Sequence, residues 1–172
     1  MKHSNQNKFL TWKSIKKQEN REKFLNQGKI KELLSTHIST KERIPFYPKL
    51  KRTINELEPK SILDLACGLN PIALSNKEAT YYASDIKKPD LKLIKKFFKK
   101  NNIRGKVFQY DLKSPTSQLP KADLCLIFKT LDIIEKNPYP LTKRLITELN
   151  CKYILISFST KTLSCKPMKH SK

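Results

Sequence analysis

The sequence predicts a doubly wound α/β domain with a mainly parallel sheet, preceded by a short, basic, helical extension. Three observations point there. From Ser61 onward, short apolar runs alternate with longer segments of helical periodicity. The first three runs each end at an aspartate (Asp64, Asp85 and Asp111), where sheets of this kind bind their ligands. Before Ser61, apolar residues recur at helical spacing among 15 lysines and arginines and 6 acids. The division expected is 1–58 for the helical extension, suited to RNA, and 59–172 for the α/β domain.

Taken in order, the first dozen residues are polar and read as a frayed end. Phe24, Leu25, Ile30, Leu33 and Leu34 make one imperfect apolar stripe, and Leu50, Ile54 and Leu57 make a second at i, i+4, i+7. Pro45, Pro48 and Pro59 punctuate this region. Strands are expected at 61–64, 81–84, 106–110, 123–128 and 153–158. Helical segments at 71–77, 90–101, 129–136 and 141–149 connect or follow them. Strands joined through helices cross over right-handedly and pair in parallel. Asn137-Pro138-Tyr139-Pro140 lies well past the fourth strand and reads as a helix stop.

Composition narrows the partners. With 36 Lys+Arg against 15 Asp+Glu, the formal charge is +21, which favours a densely anionic partner. Nucleic acid comes first, because each neutralised phosphate releases counterions, and an anionic membrane comes second. Neither a long apolar run nor a signal-peptide pattern is present, so a cytoplasmic location is expected. Cys67, Cys125, Cys151 and Cys165 show no C-x-x-C spacing and join no histidine cluster, so reduced thiols and no metal are expected, with Cys125 and Cys151 buried. His3 and His170 stand in polar termini. The three glycines, Gly28, Gly68 and Gly105, are too few and too scattered for a dinucleotide fingerprint or a P-loop.

The strand ends carry the chemistry. An aspartate after the second strand suits the hydroxyl pair of a ribose, since a carboxylate accepts several hydrogen bonds. One after the third strand can receive an adenine amino group. Gly68 lets backbone approach a ligand closely, and a turn with one glycine suits a small zwitterion better than a pyrophosphate. Adenine, ribose and an amino-acid tail together describe S-adenosylmethionine. Any one of these aspartates also reads as a helix cap or turn residue; three in register on consecutive strands favour the ligand.

The run from Asp64 to Pro71, D-L-A-C-G-L-N-P, resembles the cofactor loop of the aminoglycoside-resistance 16S ribosomal RNA guanine-N7 methyltransferases. Residues 37–43 (H-I-S-T-K-E-R) resemble that family's stretch before the catalytic domain. Residues 128–135 and 156–163 resemble its segments after strands four and five, with Ser159 where proline is expected. The resemblance covers about residues 33–164 and keeps the order and spacing of the four segments. It implies a Rossmann-like methyltransferase fold with S-adenosylmethionine as cofactor. By position, Gly68, Asp85 and Asp111 would hold it, Ala66 and Asn70 would line it, and Arg43 would reach its carboxylate. Asp64, Ile86, Leu112 and Phe128 complete the implied cofactor set. The substrate implied is a guanine of small-subunit ribosomal RNA, and resistance to an aminoglycoside is implied by the family alone. The plainer readings of 37–43 are a capping box at Ser39-x-x-Glu42 and solvated Lys41 and Arg43.

RNA would meet the basic surface. Nine lysines and arginines lie between Lys87 and Lys106 with Asp90 as the single acid. Leu91, Ile94, Phe97 and Phe98 would face the core, leaving Lys92, Lys95, Lys96, Lys99 and Lys100 outward. With Lys41, Lys87 and Lys88 they form the expected RNA-binding set, and the alternative is a solvated charge run. Guanine N7 carries a lone pair and no proton, so transfer needs positioning rather than a base, and no catalytic acid or base is expected. Lys129 and Lys161 would lie near the base pocket. The competing functions are a methyltransferase acting on another RNA and an RNA- or ribosome-binding protein that keeps the fold without catalysis. Compared with the family the sequence is expected to be short at both ends and to lack the last strands. Strand 153–158 would then be a sheet edge, to be covered by the tail, by a partner or by self-association.

Overall fold

The computed structural model describes residues 11–114, 118–135 and 140–158. Five strands form one parallel sheet in the order β3-β2-β1-β4-β5, with β1 Ser61–Leu65, β2 Thr80–Asp85, β3 Gly105–Gln109, β4 Ala122–Phe128 and β5 Cys151–Ser157. The chain builds outward from β1 to β3, then returns to the other side of β1 for β4 and β5. The order therefore reverses between β1 and β4, and the carboxyl ends of those strands open the cleft where such folds bind ligands.

Helices cover both faces. On one face lie α1 Trp12–Asn26, α2 Ile30–Ser35, α4 Tyr47–Glu56, α5 Asn70–Leu74 and α6 Lys88–Asn101, sharing a core with Ile62, Tyr81, Leu124 and Leu126. On the other, α7 Leu131–Ile134 and α8 Pro140–Glu148 bring Leu131 and Leu145 against Leu63, Leu65, Cys125 and Ile127. Alternate residues of β1 and β4 thus feed opposite cores, which is why those strands are largely apolar, with Asp64 and Asp123 among the exceptions. The short α3, Ile38–Arg43, and a single 3-10 turn at Ile44–Phe46 join α2 to α4.

Every expected strand forms, with ends shifted by one or two residues. Asp64 lies inside β1, one residue before its end, rather than at the end. The helical segment expected at 71–77 stops at Leu74, where Ser75 turns extended and its hydroxyl bonds back to the Pro71 carbonyl at 2.6 Å. Of the segment expected at 129–136, Leu131–Ile134 is helical, and Lys136 lies outside the described residues, as do Asn137, Pro138 and Tyr139. The N-terminal stripe is split between two helices, with Leu25 buried on α1 and Leu33 and Leu34 on α2. Of the frayed dozen, residues 1–10 lie outside the described ones, whereas Thr11 caps α1 by accepting from the Ser14 amide. The box expected at Ser39 does not form: the cap of α3 is His37, without a side-chain bond, and Ser39 sits inside the helix. Cys67 and Cys125 are buried free thiols and Cys151 is half-buried. Among the described residues β5 pairs with β4 alone, and Tyr153 on that strand is 37% exposed.

Candidate functional site

Between β1 and α5 the chain turns through two left-handed residues, Ala66 at φ +51° and Gly68 at φ +54°. For alanine this conformation costs about 1 kcal/mol, so tertiary contacts must hold it. They do. The Cys67 amide donates to the Ser84 carbonyl at 2.9 Å, carrying the β1–β2 pairing one step past the strand. The Gly68 amide donates to Asp85 Oδ2 at 2.9 Å, while Asp85 Oδ1 accepts from the Lys87 amide at 2.9 Å. Asp85 is thereby aimed along the rim, with lone pairs left on both oxygens. Asn70 opens α5 immediately after this turn.

Asp64 works beneath the loop rather than on its surface. It is fully buried, and its Oδ2 accepts from the Tyr81 hydroxyl at 2.8 Å. Burial pushes its carboxyl up to about 7, against the opposing pull of Tyr81, Arg43 and Asn70, and Asp85 adds to the upward push. Its Oδ1 has no hydrogen-bond partner.

Arg43 is buried and crosses from α3 to two other elements. Its Nη1 donates to Asn70 Oδ1 at 2.6 Å and its Nη2 to the Phe128 carbonyl at 3.2 Å. The guanidinium also sits 5.3 Å from the centre of the Phe128 ring. Tyr47 donates to the same Asn70 oxygen at 2.8 Å. Nε of Arg43 is buried without a hydrogen-bond partner, so one donor of the fork is unused.

At the other end of α3, the His37 ring lies where a β-carbon on Gly68 would be, with Cε1 only 3.0 Å from that position. His37 Nε2 is 3.7 Å from Asp90 Oδ2, and Asp90 Oδ1 is bound by the buried Arg21 at 2.6 Å. Burial holds the imidazole below its ordinary range despite Asp90, and its Nδ1 has no hydrogen-bond partner. Helix α3 therefore spans the cleft from the end of β2 to the end of β4. The sequence pointed to Arg43 but gave no role to Asp90, His37, Tyr47, Tyr81 or Arg21. The H-I-S-T-K-E-R stretch was the one signal available for His37.

The remaining expected residues divide. Ile86 and Asp111 are exposed on the rim, and Asp111 Oδ1 accepts from the Lys113 amide at 2.9 Å. Leu112 and Phe128 are buried. Lys129, at φ +51°, follows β4 and pairs with Glu42 of α3 at 2.6 Å. It borders a cavity of about 340 Å³ that includes Arg43, Phe46, Lys49, Phe128 and Ser157. Lys161 lies outside the described residues. Lys41, Lys87, Lys88, Lys92, Lys95 and Lys99 are exposed. Lys96 and Lys100 are exposed too, but both are engaged by α1: Lys96 pairs with Glu22 at 2.6 Å, and Lys100 donates to the carbonyls of Leu25 and Asn26 at 3.0 Å. These two lysines clamp α6 to α1.

With that geometry in place, comparison with known proteins decides the family. The family described as Ribosomal RNA methyltransferase (FmrO) matches residues 25–171. The chain belongs to that family. A 16S rRNA (guanine(1405)-N(7))-methyltransferase of Serratia marcescens is 34% identical over 143 residues, covering 81% of this chain and 56% of the relative. One of the same name from Frankia casuarinae is 29% identical over 136 residues, covering 76% and 48%. Among solved structures, an rRNA methylase from Escherichia coli superposes with TM-score 0.76 at 30% identity, covering 86% of this chain and 62% of the other. The 16S rRNA methylase RmtB gives 0.71 at 28% identity, covering 90% and 63%. The chain thus spans about half the length of the curated relatives it matches. The Rossmann-like methyltransferase fold of the family is the one observed, up to its fifth strand.

Proposed function

We propose that this chain binds S-adenosylmethionine at the β1–β4 cleft and transfers its methyl group to a guanine N7 of small-subunit ribosomal RNA. The observation that carries the reading is the left-handed Ala66–Gly68 turn stitched to Asp85 at the switch point, in a chain of the FmrO family. The residues present fit the cofactor. Gly68 offers bare backbone, Asp85 has oxygens for a ribose, and Asp111 stands exposed beyond β3 to face an adenine. The buried, unpartnered Arg43 Nε and His37 Nδ1 on either side of the loop are polar atoms awaiting a polar group. In this reading Ala66, Ile86, Leu112 and Phe128 frame the pocket, while Asp64 and Asn70 support it from below.

The bound cofactor supplies an electrophilic methyl group on a sulfonium. The protein's task is to hold the guanine lone pair in line with that group, which is catalysis by proximity and orientation. No side chain has to take a proton. Lys41, Lys87, Lys88, Lys92, Lys95 and Lys99 would attract RNA through its phosphates, and Lys129 would stand at the entrance to the base pocket. The division into a basic RNA-binding extension over 1–58 and a transferase domain from 59 belongs to the same reading.

The test is methyl transfer from labelled S-adenosylmethionine to intact small subunits, naked ribosomal RNA and transfer RNA in parallel. Label mapped to a guanine N7 of ribosomal RNA is the expected outcome. Label confined to transfer RNA would keep the chemistry and remove the target. RNA binding without label anywhere would assign the chain to binding without transfer.

A further inference from the structure

The amino-terminal half of α1 lies outside the residues matched to the family, which begin at 25. It nevertheless carries a built surface. Trp12, Lys13, Lys16, Lys17, Asn20, Phe24 and Thr36 line a groove of about 490 Å³. Trp12 is 68% exposed, an unusual place for the chain's single tryptophan. Lys16 Nζ lies 5.3 Å from its ring centre. The acids of α1 are absent from the groove: Glu22 is turned to Lys96 of α6, and Glu19 is not among the lining residues. Lys17 lies within electrostatic reach of Arg21 and Lys87, with Asp90 as the opposing charge, and its ammonium is pushed below the usual range by burial and then by Arg21. Asp90 is already bound by Arg21, and among the described residues Lys13, Lys16 and Lys17 form no ion pair.

We propose that this groove is a docking site for single-stranded RNA, with an unpaired base stacked on Trp12 and the flanking phosphates held by Lys13, Lys16 and Lys17. The proposal rests on the RNA reading above and adds a contact to it. An aromatic face beside lysines on a groove is the pattern that binds unstacked nucleotides with little regard to sequence. A lipid surface fits less well, because among the described residues of α1 only Trp12 and Ile15 are exposed large apolar side chains, few for a face that inserts. The groove also touches the cleft mechanically. Arg21, one turn beyond Lys17, holds Asp90, and Asp90 abuts the His37 that packs on Gly68.

The single tryptophan makes the test direct. End-labelled single-stranded RNA is titrated into the full chain, with anisotropy reporting binding and Trp12 emission reporting the groove. Quenching of Trp12 over the binding range is expected. The triple change Lys13→Ala, Lys16→Ala and Lys17→Ala should lower the slope of log K against log salt by about 2 while leaving cofactor affinity unchanged. RNA binding with silent Trp12 emission would overturn the groove, and unchanged methyl transfer in the same preparation would leave the transferase reading standing. Quenching without any methyl transfer would support the groove and remove the transferase reading. Quenching by phosphatidylserine vesicles with no response to RNA would overturn the proposal in favour of a lipid partner.

Discussion

Asp64 gives the site its pH dependence. In an unfolded chain its carboxyl titrates near pH 4, whereas in the fold burial raises it to about 7. Between those values the folded state holds the extra proton, so this group's contribution to stability falls as pH rises from about 4 to about 7 and is flat above. Asp64→Asn keeps an acceptor for Tyr81 and removes the charge. It should melt higher than the parent at pH 8 and lose this part of the pH dependence, as thermal melts across pH 5–8 would show. At Gly68 the constraint is steric as well as conformational. Gly68→Ala places a methyl 3.0 Å from the His37 ring on a left-handed residue, and should weaken cofactor binding by about tenfold or more in calorimetry. The aspartates and the glycine were legible in the sequence because strand ends and glycine carry local signals. Their support from Tyr81, Tyr47 and His37 was not, since nothing local marks a tyrosine for a carboxylate 17 residues away.

Among the elements, α1 is held to α6 by charge as much as by apolar contact. Arg21 and Asp90 are both buried, so removing either leaves an uncompensated charge. Arg21→Ala should cost about 3–5 kcal/mol in denaturant unfolding, far more than an exposed pair such as Lys96–Glu22 at up to about 1 kcal/mol. Strand pairing has its own weak point at Gly105, where a β-carbon would come within 1.9 Å of the Tyr81 carbonyl. Gly105→Ala must push β3 from β2, and a fall in melting temperature with poor soluble yield is expected. The strands and α6 were readable because their apolar periods differ so clearly. Helix α3 was harder: six residues give too little periodicity, and its span across the cleft depends on packing between distant segments. Likewise, the outward face of α6 was read correctly, yet Lys96 and Lys100 could not be told from their neighbours until α1 lay beside them.

At the scale of the whole molecule, one topological fact organises the rest. The sheet reverses order between β1 and β4, and Gly68, Asp85, Arg43 and Phe128 converge at that reversal from four separate segments. The N-terminal helices are packed into the same core as the sheet, so their basic surface is held in fixed relation to the cleft. In the proposed function a charge of +21 would serve as a steering field, and its effect on RNA association should fall with salt. The measurement that bears most directly on this account is calorimetric titration of S-adenosylmethionine into the full chain and into Asp85→Ala. A single saturable site in the parent, weakened at least about tenfold by the substitution with the fold intact, is the expected result. Equal affinity in the two proteins, or no binding by a folded parent, would contradict the assignment of this cleft to the cofactor.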